Sequence, residues 1–280
     1  MATTQAKTVA PKKKSQGFQG VQHAIWIIVI CFLAAVAFYY FVLGNPDNFV
    51  DGDRENHVKD GNLLGLIYKG GIVVPVIITL LFTVIALSIE RWLALRTAFG
   101  KGQLPKFVAN IKQALKDGDF AKAQKLCDDQ RGTVANVVGA SLKAYKEMEA
   151  TSGLKKEQKI AKIQQAHEEA TQLEMPTLQM NMPILATIVT LGTLTALFGT
   201  VVGMIRSFAA LAAGGGGDSL ALSQGISEAL VNTASGILTS WGAVIAYNFY
   251  TNKIDKLTYA LDEVGYSIAQ TYETNHTDEA

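Results

Sequence analysis

Long apolar runs, separated by short polar stretches and one long amphipathic region, set the organisation of this chain. Four runs meet the roughly 17 to 25 predominantly apolar residues that a helix needs to cross a hydrocarbon core: about Val21 to Leu43, Gly71 to Ile89, Met182 to Ile205 and Ile226 to Tyr250. The last two are separated only by the Gly214 to Gly217 run and a few flanking residues, so they must form a hairpin. Between the second and third runs, FVANIKQALKD, DFAKAQKLCDD, TVANVVGASLKAYKEME and KKEQKIAKIQQAHEEATQLE place apolar or alanine positions at helical spacing with charge opposite. Breaks fall at Gly118, Gly132 and Gly153, and no segment alternates as a strand would. The pattern predicts an all-α polytopic membrane protein with four transmembrane helices and a cytoplasmic helical bundle. The last bundle helix can run on into the third span, with Pro176 and Pro183 as the points of kinking.

Orientation follows from basic residues in the short flanks. Lys12, Lys13 and Lys14 precede the first span, Arg91, Arg96, Lys101 and Lys106 follow the second, and Lys253 and Lys256 follow the fourth, which places both termini in the cytoplasm. The acidic segment from Asn45 to Asn62 and the glycine-rich turn then lie outside. The first span reads as a retained anchor and not a signal peptide, because its apolar core is long and no A-x-A-like site follows it. The expected segments are a basic cytoplasmic tail over 1–20, an accessory span over 21–43, a periplasmic segment over 44–70 and a span over 71–95. A cytoplasmic helical domain over 96–180 follows, then spans over 181–212 and 220–251 joined by a periplasmic turn over 213–219, and a cytoplasmic C-terminal tail over 252–280.

Composition agrees: 49% hydrophobic and 18% charged residues and a mean hydropathy of +0.20 are too apolar for an ordinary soluble domain. With 25 basic and 24 acidic residues, a net charge of +1, the chain lacks the positive field of a dedicated nucleic-acid binder, and no nucleic acid is expected as a partner. Cys31 in a span and Cys127 in the bundle have no way to meet and read as free thiols. His23, His57, His167 and His276 are scattered and no CxxC is present, so neither a metal site nor a cofactor is expected.

The third span carries Gly199 and Gly203 as a GxxxG pair, and Thr193, Ala196, Thr200, Gly203 and Ser207 line one weakly polar seam. Close helix packing explains such a seam, since membrane Ser and Thr usually bond back to a carbonyl one turn earlier. In the fourth span Glu228, Asn232, Ser235 and Thr239 recur at helical spacing, with Thr233, Gly236 and Ser240 on the adjacent strip. An ionisable residue at the centre of a membrane helix costs about 2.5 to 3.5 kcal/mol. Glu228 must therefore face protein or a water-filled cavity, and its role stands open between function and a helix-end contact such as pairing with Arg206. Arg206 itself reads as snorkelling to the outer headgroups. The stripe contains no second acid, histidine or lysine, so this chain alone lacks an obvious proton relay. Enzyme classes find no support: Ser235 has no histidine or lysine in the last two spans to activate it, and Gly214 to Gly217 lacks the GK[ST] ending of a phosphate loop.

ALFGTVVGMIRSF, Ala196 to Phe208, resembles the LLGTVxGxxxxF signature of the MotA/TolQ/ExbB proton-channel family. GISEALVNTASGILTSWGAVIAYNFY, Gly225 to Tyr250, resembles that family's second signature, GIAEALxxTAxGLxxAxPAVxxYN, and the match is nearest to the ExbB branch. The resemblance is strong from Leu185 to Tyr250 and looser from Gly71 to Leu178. It implies a homopentameric ring in the bacterial inner membrane whose last two spans line a pore. Two single-span ExbD-like partners stand inside, and a TonB-like protein carries force to outer-membrane receptors. The partner supplies a protonatable aspartate. By matching positions, Thr200 and Thr233 are the hydroxyls expected near it and Glu228 is the acid of the second signature. Asn232, Ser235, Thr193 and Ser240 join them as pore-lining candidates, and Gly199, Gly203 and Gly236 as packing positions. Thr193 and Gly242 stand where relatives often have proline, which softens or moves the expected kinks. The extra first span lies outside the family's three-span core. A TolQ-like or gliding stator would use the same pore with a different force-transmitting partner, and a passive scaffold would be indifferent to the threonines. Without several inward carboxylates, the pore favours protons over sodium.

Overall fold

The computed structural model describes residues 24–54, 57–213 and 219–276. The basic tail over 1–20, the first residues of the first span with His23, Glu55 and Asn56, the Gly214 to Gly217 run with Asp218, and the last four residues lie outside the described residues. Within them the chain is helical, with one isolated antiparallel bridge between Phe49 and Val58. Four helical stretches are long and apolar enough to cross a membrane, which makes this an all-α polytopic membrane protein. The helices are α1 (Ala24–Phe38), α2 (Leu63–Tyr68), α3 (Val74–Phe99), α4 (Leu104–Lys116), α5 (Phe120–Gln130), α6 (Gly132–Ala150), α7 (Lys156–Gln179), α8 (Met182–Ala213) and α9 (Ser219–Asn275). They form two compact units, Gly20–Leu95 with Met175–Tyr259, and Arg96–Glu174 with Ala260–Ala280.

In the apolar unit α1 continues through a π-helical turn, Tyr39–Leu43. Ala35, Tyr39 and Leu43 bury against Val74 and Ile78 of α3, and the Tyr39 hydroxyl donates to the Tyr68 carbonyl at 3.1 Å. The other face of α1 leaves Ile25, Trp26, Ile30 and Leu33 exposed, as a lipid-facing helix requires. The stretch joining α1 to α2 folds on itself. Asn48 donates to the carbonyls of Val42 and Leu43 at 2.9 Å and accepts from Asn62 at 3.0 Å, while Asn62 caps α2 through the Gly65 amide. Arg54 Nε ties the segment to the Gly44 carbonyl at 2.6 Å.

The amphipathic unit is built from α4 to α6, most of α7 and the last part of α9. Its helices break beside Gly118, Gly132 and Gly153, all in the left-handed region. The boundary between α7 and α8 differs from the two prolines read as kink points. Pro176 is accommodated inside α7, Pro183 sits in the first turn of α8 where no amide partner is lost, and the chain turns between them at Met180–Asn181, with Asn181 at φ 63°. Neither Thr193 nor Gly242 interrupts its helix. The segment expected as a C-terminal tail is helical through Asn275. Leu261, Val264, Ile268 and Tyr272 recur at helical spacing and are buried, so this part of α9 has a core face of its own. Tyr272 meets Tyr145 edge-on at 4.9 Å, and Tyr145 lies 4.4 Å from Phe120.

His167 is buried in this unit. Its Nδ1 lies 2.9 Å from the Ser141 hydroxyl, its Nε2 has no hydrogen-bond partner among the described residues, and α9 passes the ring at Gly265, where a methyl group would strike it. Burial pushes the imidazole below its ordinary value of 6.5, against the opposing pull of Asp262 and Glu168. The folded chain thus keeps His167 neutral at pH values where the unfolded chain takes up a proton. The stability this contributes is full above the unfolded pKa and is lost as pH falls from there toward the folded one. We expect the thermal midpoint of the full chain to drop as pH falls through and below the ordinary imidazole value of 6.5, and His167→Gln to flatten that drop. Equal slopes for the two proteins would show that the histidine does not set the pH response.

Candidate functional site

The sequence places small residues on facing sides of α8 and α9, and the two helices meet there backbone to backbone. Gly192 abuts Ser240, Gly236 abuts Ala196, and Gly225 abuts Ser207, each so closely that a methyl group on the glycine would collide. A methyl on Gly199 would lie 2.7 Å from the Asn232 Cβ, and one on Gly203 3.0 Å from the Ala229 Cβ. The inward seam of α8 therefore runs through Gly192, Ala196, Gly199, Gly203 and Ser207, and Thr200 stands at its edge.

Thr200 and Thr233 come together at that edge, Oγ1 to Oγ1 at 2.5 Å, both half-buried. Thr200 Oγ1 is also 3.0 Å from the Ala196 carbonyl, and Thr233 Oγ1 3.1 Å from the Ala229 carbonyl. Two hydroxyl protons thus serve three contacts. One contact is always made at the expense of another, so either hydroxyl can turn its proton toward an approaching carboxylate or offer a lone pair to a carboxylic acid. A carrier that gains and loses a proton needs that ambivalence beside it.

Closer to α2, Arg206 Nη1 donates to Glu228 Oε1 at 2.8 Å. The Glu228 side chain is 13% exposed and that of Arg206 52%. Gly71, at φ +76°, packs so tightly on this pair that a side chain there would strike Glu228 Oε1. Asn232 is fully buried beneath it and donates through Nδ2 to the Gly70 carbonyl at 2.8 Å, leaving Oδ1 unpaired among the described residues. The other candidates are dispersed. Ser235 is half-buried and its carbonyl accepts from the buried Thr239 at 2.9 Å. Ser240 is buried with its hydroxyl unpaired among the described residues, whereas Thr193 is exposed and bonds back to the Thr190 carbonyl at 2.8 Å. The geometry thus joins Thr200 with Thr233, and Glu228 with Arg206, while Asn232 serves the chain's own packing.

Sequence reasoning missed two features. The Gly70–Gly71 pair is one; two adjacent glycines at the start of a span were its only signal. The second lies at the opposite end of the unit, where Arg91 is fully buried and pairs with Glu90 through Nη2 and through Nε at 2.6 Å. Its Nη1 donates to the Thr177 and Leu178 carbonyls in the last turn of α7 at 3.3 and 3.4 Å, and Asn181 Nδ2 donates to Glu90 Oε2 at 3.3 Å. A cation at these carbonyls meets the negative end of the α7 dipole.

The model of the MotA/TolQ/ExbB proton channel family matches residues 135–263. TolQ of the Tol-Pal system from Pseudomonas aeruginosa is 26% identical over 210 residues, which cover 72% of this chain and 88% of that protein. The biopolymer transport protein ExbB-like 1 from Synechocystis is 31% identical over 197 residues, covering 66% of this chain and 69% of that protein. An ExbB homolog from Methanothermobacter thermautotrophicus is 22% identical over 196 residues, 70% of this chain and 65% of that protein.

Proposed function

The chain belongs to the MotA/TolQ/ExbB proton channel family, a family of transport motors and not an enzyme class, and from that premise we propose that it is the ExbB-like subunit of an inner-membrane proton-driven motor. In this reading five copies form a ring around two ExbD-like transmembrane helices, both termini face the cytoplasm, and proton flow energises TonB-dependent transport across the outer membrane. The observation that carries it is the Thr200–Thr233 pair. Two hydroxyls that divide two protons among three contacts suit both states of a carboxyl carrier on a partner helix, since either can donate to a carboxylate or accept from a carboxylic acid. Each charge crossing 100 mV releases about 2.3 kcal/mol, so a few protons suffice for a modest conformational step in the partner. A TolQ-like role in envelope maintenance is the second reading, favoured by the similarity to TolQ over most of that protein's length.

Native mass spectrometry of the chain purified from its own membrane tests the assembly. We expect a pentamer retaining two copies of a small single-span protein; a stable monomer or dimer without such a partner would support a passive scaffold instead. Deleting the gene separates the two motor roles: loss of receptor-dependent uptake with an intact envelope supports the ExbB-like reading, and leakage with intact uptake supports the TolQ-like one.

A further inference from the structure

A cavity of about 600 Å³ opens beside the Glu228–Arg206 pair, walled by the folded stretch between α1 and α3 on one side and by α8 and α9 on the other. Its lining includes His57, Asp60, Lys69, Arg206, Ser227 and Glu228. The exposure of these groups is graded: His57, Asp60 and Arg206 are open to solvent, whereas Lys69, Ser227 and Glu228 are half-buried. The wall is built and not draped. Among its described residues Asn48 and Arg54 donate to the Val42 and Gly44 carbonyls and Asn62 donates to Asn48, the Phe49–Val58 bridge lies beside His57, and the Gly70 carbonyl is tied to Asn232 at its base. Its volume far exceeds the roughly 10–15 Å³ that one water requires, and the polar lining supplies the partners that buried water needs.

We propose that this cavity is the aqueous vestibule through which protons enter the chain's side of the pore from outside, with the segment between α1 and α3 as its outer wall. The inference rests on reading the chain as a proton-channel subunit with that segment outside. Charge in the vestibule is balanced: Asp60 and Glu228 offset Lys69 and Arg206, with His57 as the remaining titratable group. A metal cation, which must bring or shed its hydration shell, gains nothing from a cavity without net negative charge. A proton needs only a chain of waters along which O–H bonds and hydrogen bonds are exchanged, each water turning back before the next proton passes. The Glu228–Arg206 pair at the inner wall offers a carboxylate acceptor and guanidinium donors to water in the cavity. The accessory span gains a role here, because its packing on α3 holds the outer wall in place.

The test is thiol accessibility in intact cells carrying the full chain with its native partners. Ser227→Cys, at the inner wall, is exposed to a charged, membrane-impermeant methanethiosulfonate added outside, and each culture is compared with itself before and after reagent, with the unsubstituted chain giving the background from Cys31 and Cys127. Proton entry is read as cytoplasmic acidification after an external acid pulse. We expect Ser227→Cys to be modified, most of the flux to be lost on modification, and the flux to return when the adduct is reduced. Ser223→Cys, on the same cavity, serves if Ser227→Cys does not assemble. Either of two results at Ser227→Cys overturns the proposal: no modification while His57→Cys at the rim reacts, or full modification with flux unchanged. Failure of His57→Cys to react from outside also overturns it, by removing the segment from that side. A chain that conducts no protons before reagent is added would instead sink the channel reading itself, whatever the labelling.

Discussion

Thr200→Ala and Thr233→Ala are expected to assemble with their partners and to lose nearly all proton flux, each by about one to two orders of magnitude. The size follows from the chemistry. A hydrogen bond to a charged group is worth about 1.5–3 kcal/mol, and each 1.4 kcal/mol is a factor of about ten. Assembly should survive because both threonines stand at the edge of the α8–α9 seam, whose close contacts are made by Gly192, Ala196, Gly199, Gly203 and Gly236. Since the two hydroxyls share their protons, the double variant should lose less than the product of the single losses. Thr200→Ser, which keeps the hydroxyl and drops a methyl group, should retain most of the flux. Proton flux in vesicles holding the purified complex measures the loss directly, and uptake assays in cells measure its consequence. Full activity in both alanine variants would remove the pair from the pathway.

How far the residues announced this arrangement differs by element. The spans were legible because runs as long and apolar as AIWIIVICFLAAVAFYYFVL match the length of a membrane crossing, and the helix breaks at Gly118, Gly132 and Gly153 because glycine takes left-handed backbone without penalty. Thr200 and Thr233 were legible from their motifs, though motif spacing says nothing of their mutual contact across two helices. The direction of Asn232 was not. It belongs to the same polar stripe as Glu228, yet helix rotation turns it onto Gly70, a contact 162 residues apart in sequence. The last part of α9 carried a clear apolar period through Ile254, Leu257, Leu261 and Val264, but its position after the final span and its interleaved charges read as a tail. Arg91 was the hardest to place. As a basic residue at the end of an apolar run it matches the sequence rule for a cytoplasmic flank, and only the approach of the α7 terminus turns a flank into a buried cap.

That cap yields the largest stability effect we expect. Arg91→Ala should destabilise the chain by about 3–5 kcal/mol, the usual cost of removing one member of a buried ion pair. The loss has two parts. Glu90 is left 6% exposed without its guanidinium, and the carbonyls of Thr177 and Leu178 lose a charged donor at a helix end that offers no further turn to satisfy them. Arg91→Lys should recover only part, because a single ammonium replaces a planar fork that reaches Glu90 through two nitrogens and the α7 carbonyls through a third. Replacing both partners, Glu90→Gln with Arg91→Met, should cost less than Arg91→Ala alone, since no uncompensated charge remains. Asn181 can then still donate to the side-chain oxygen of the introduced glutamine, keeping the turn between α7 and α8 closed. Thermal unfolding of the four proteins in one detergent gives the order. If Arg91→Ala unfolds with the parent chain, or if the double replacement is the worst of the set, the pair is a surface-like contact and the cap is not what holds the α7–α8 turn.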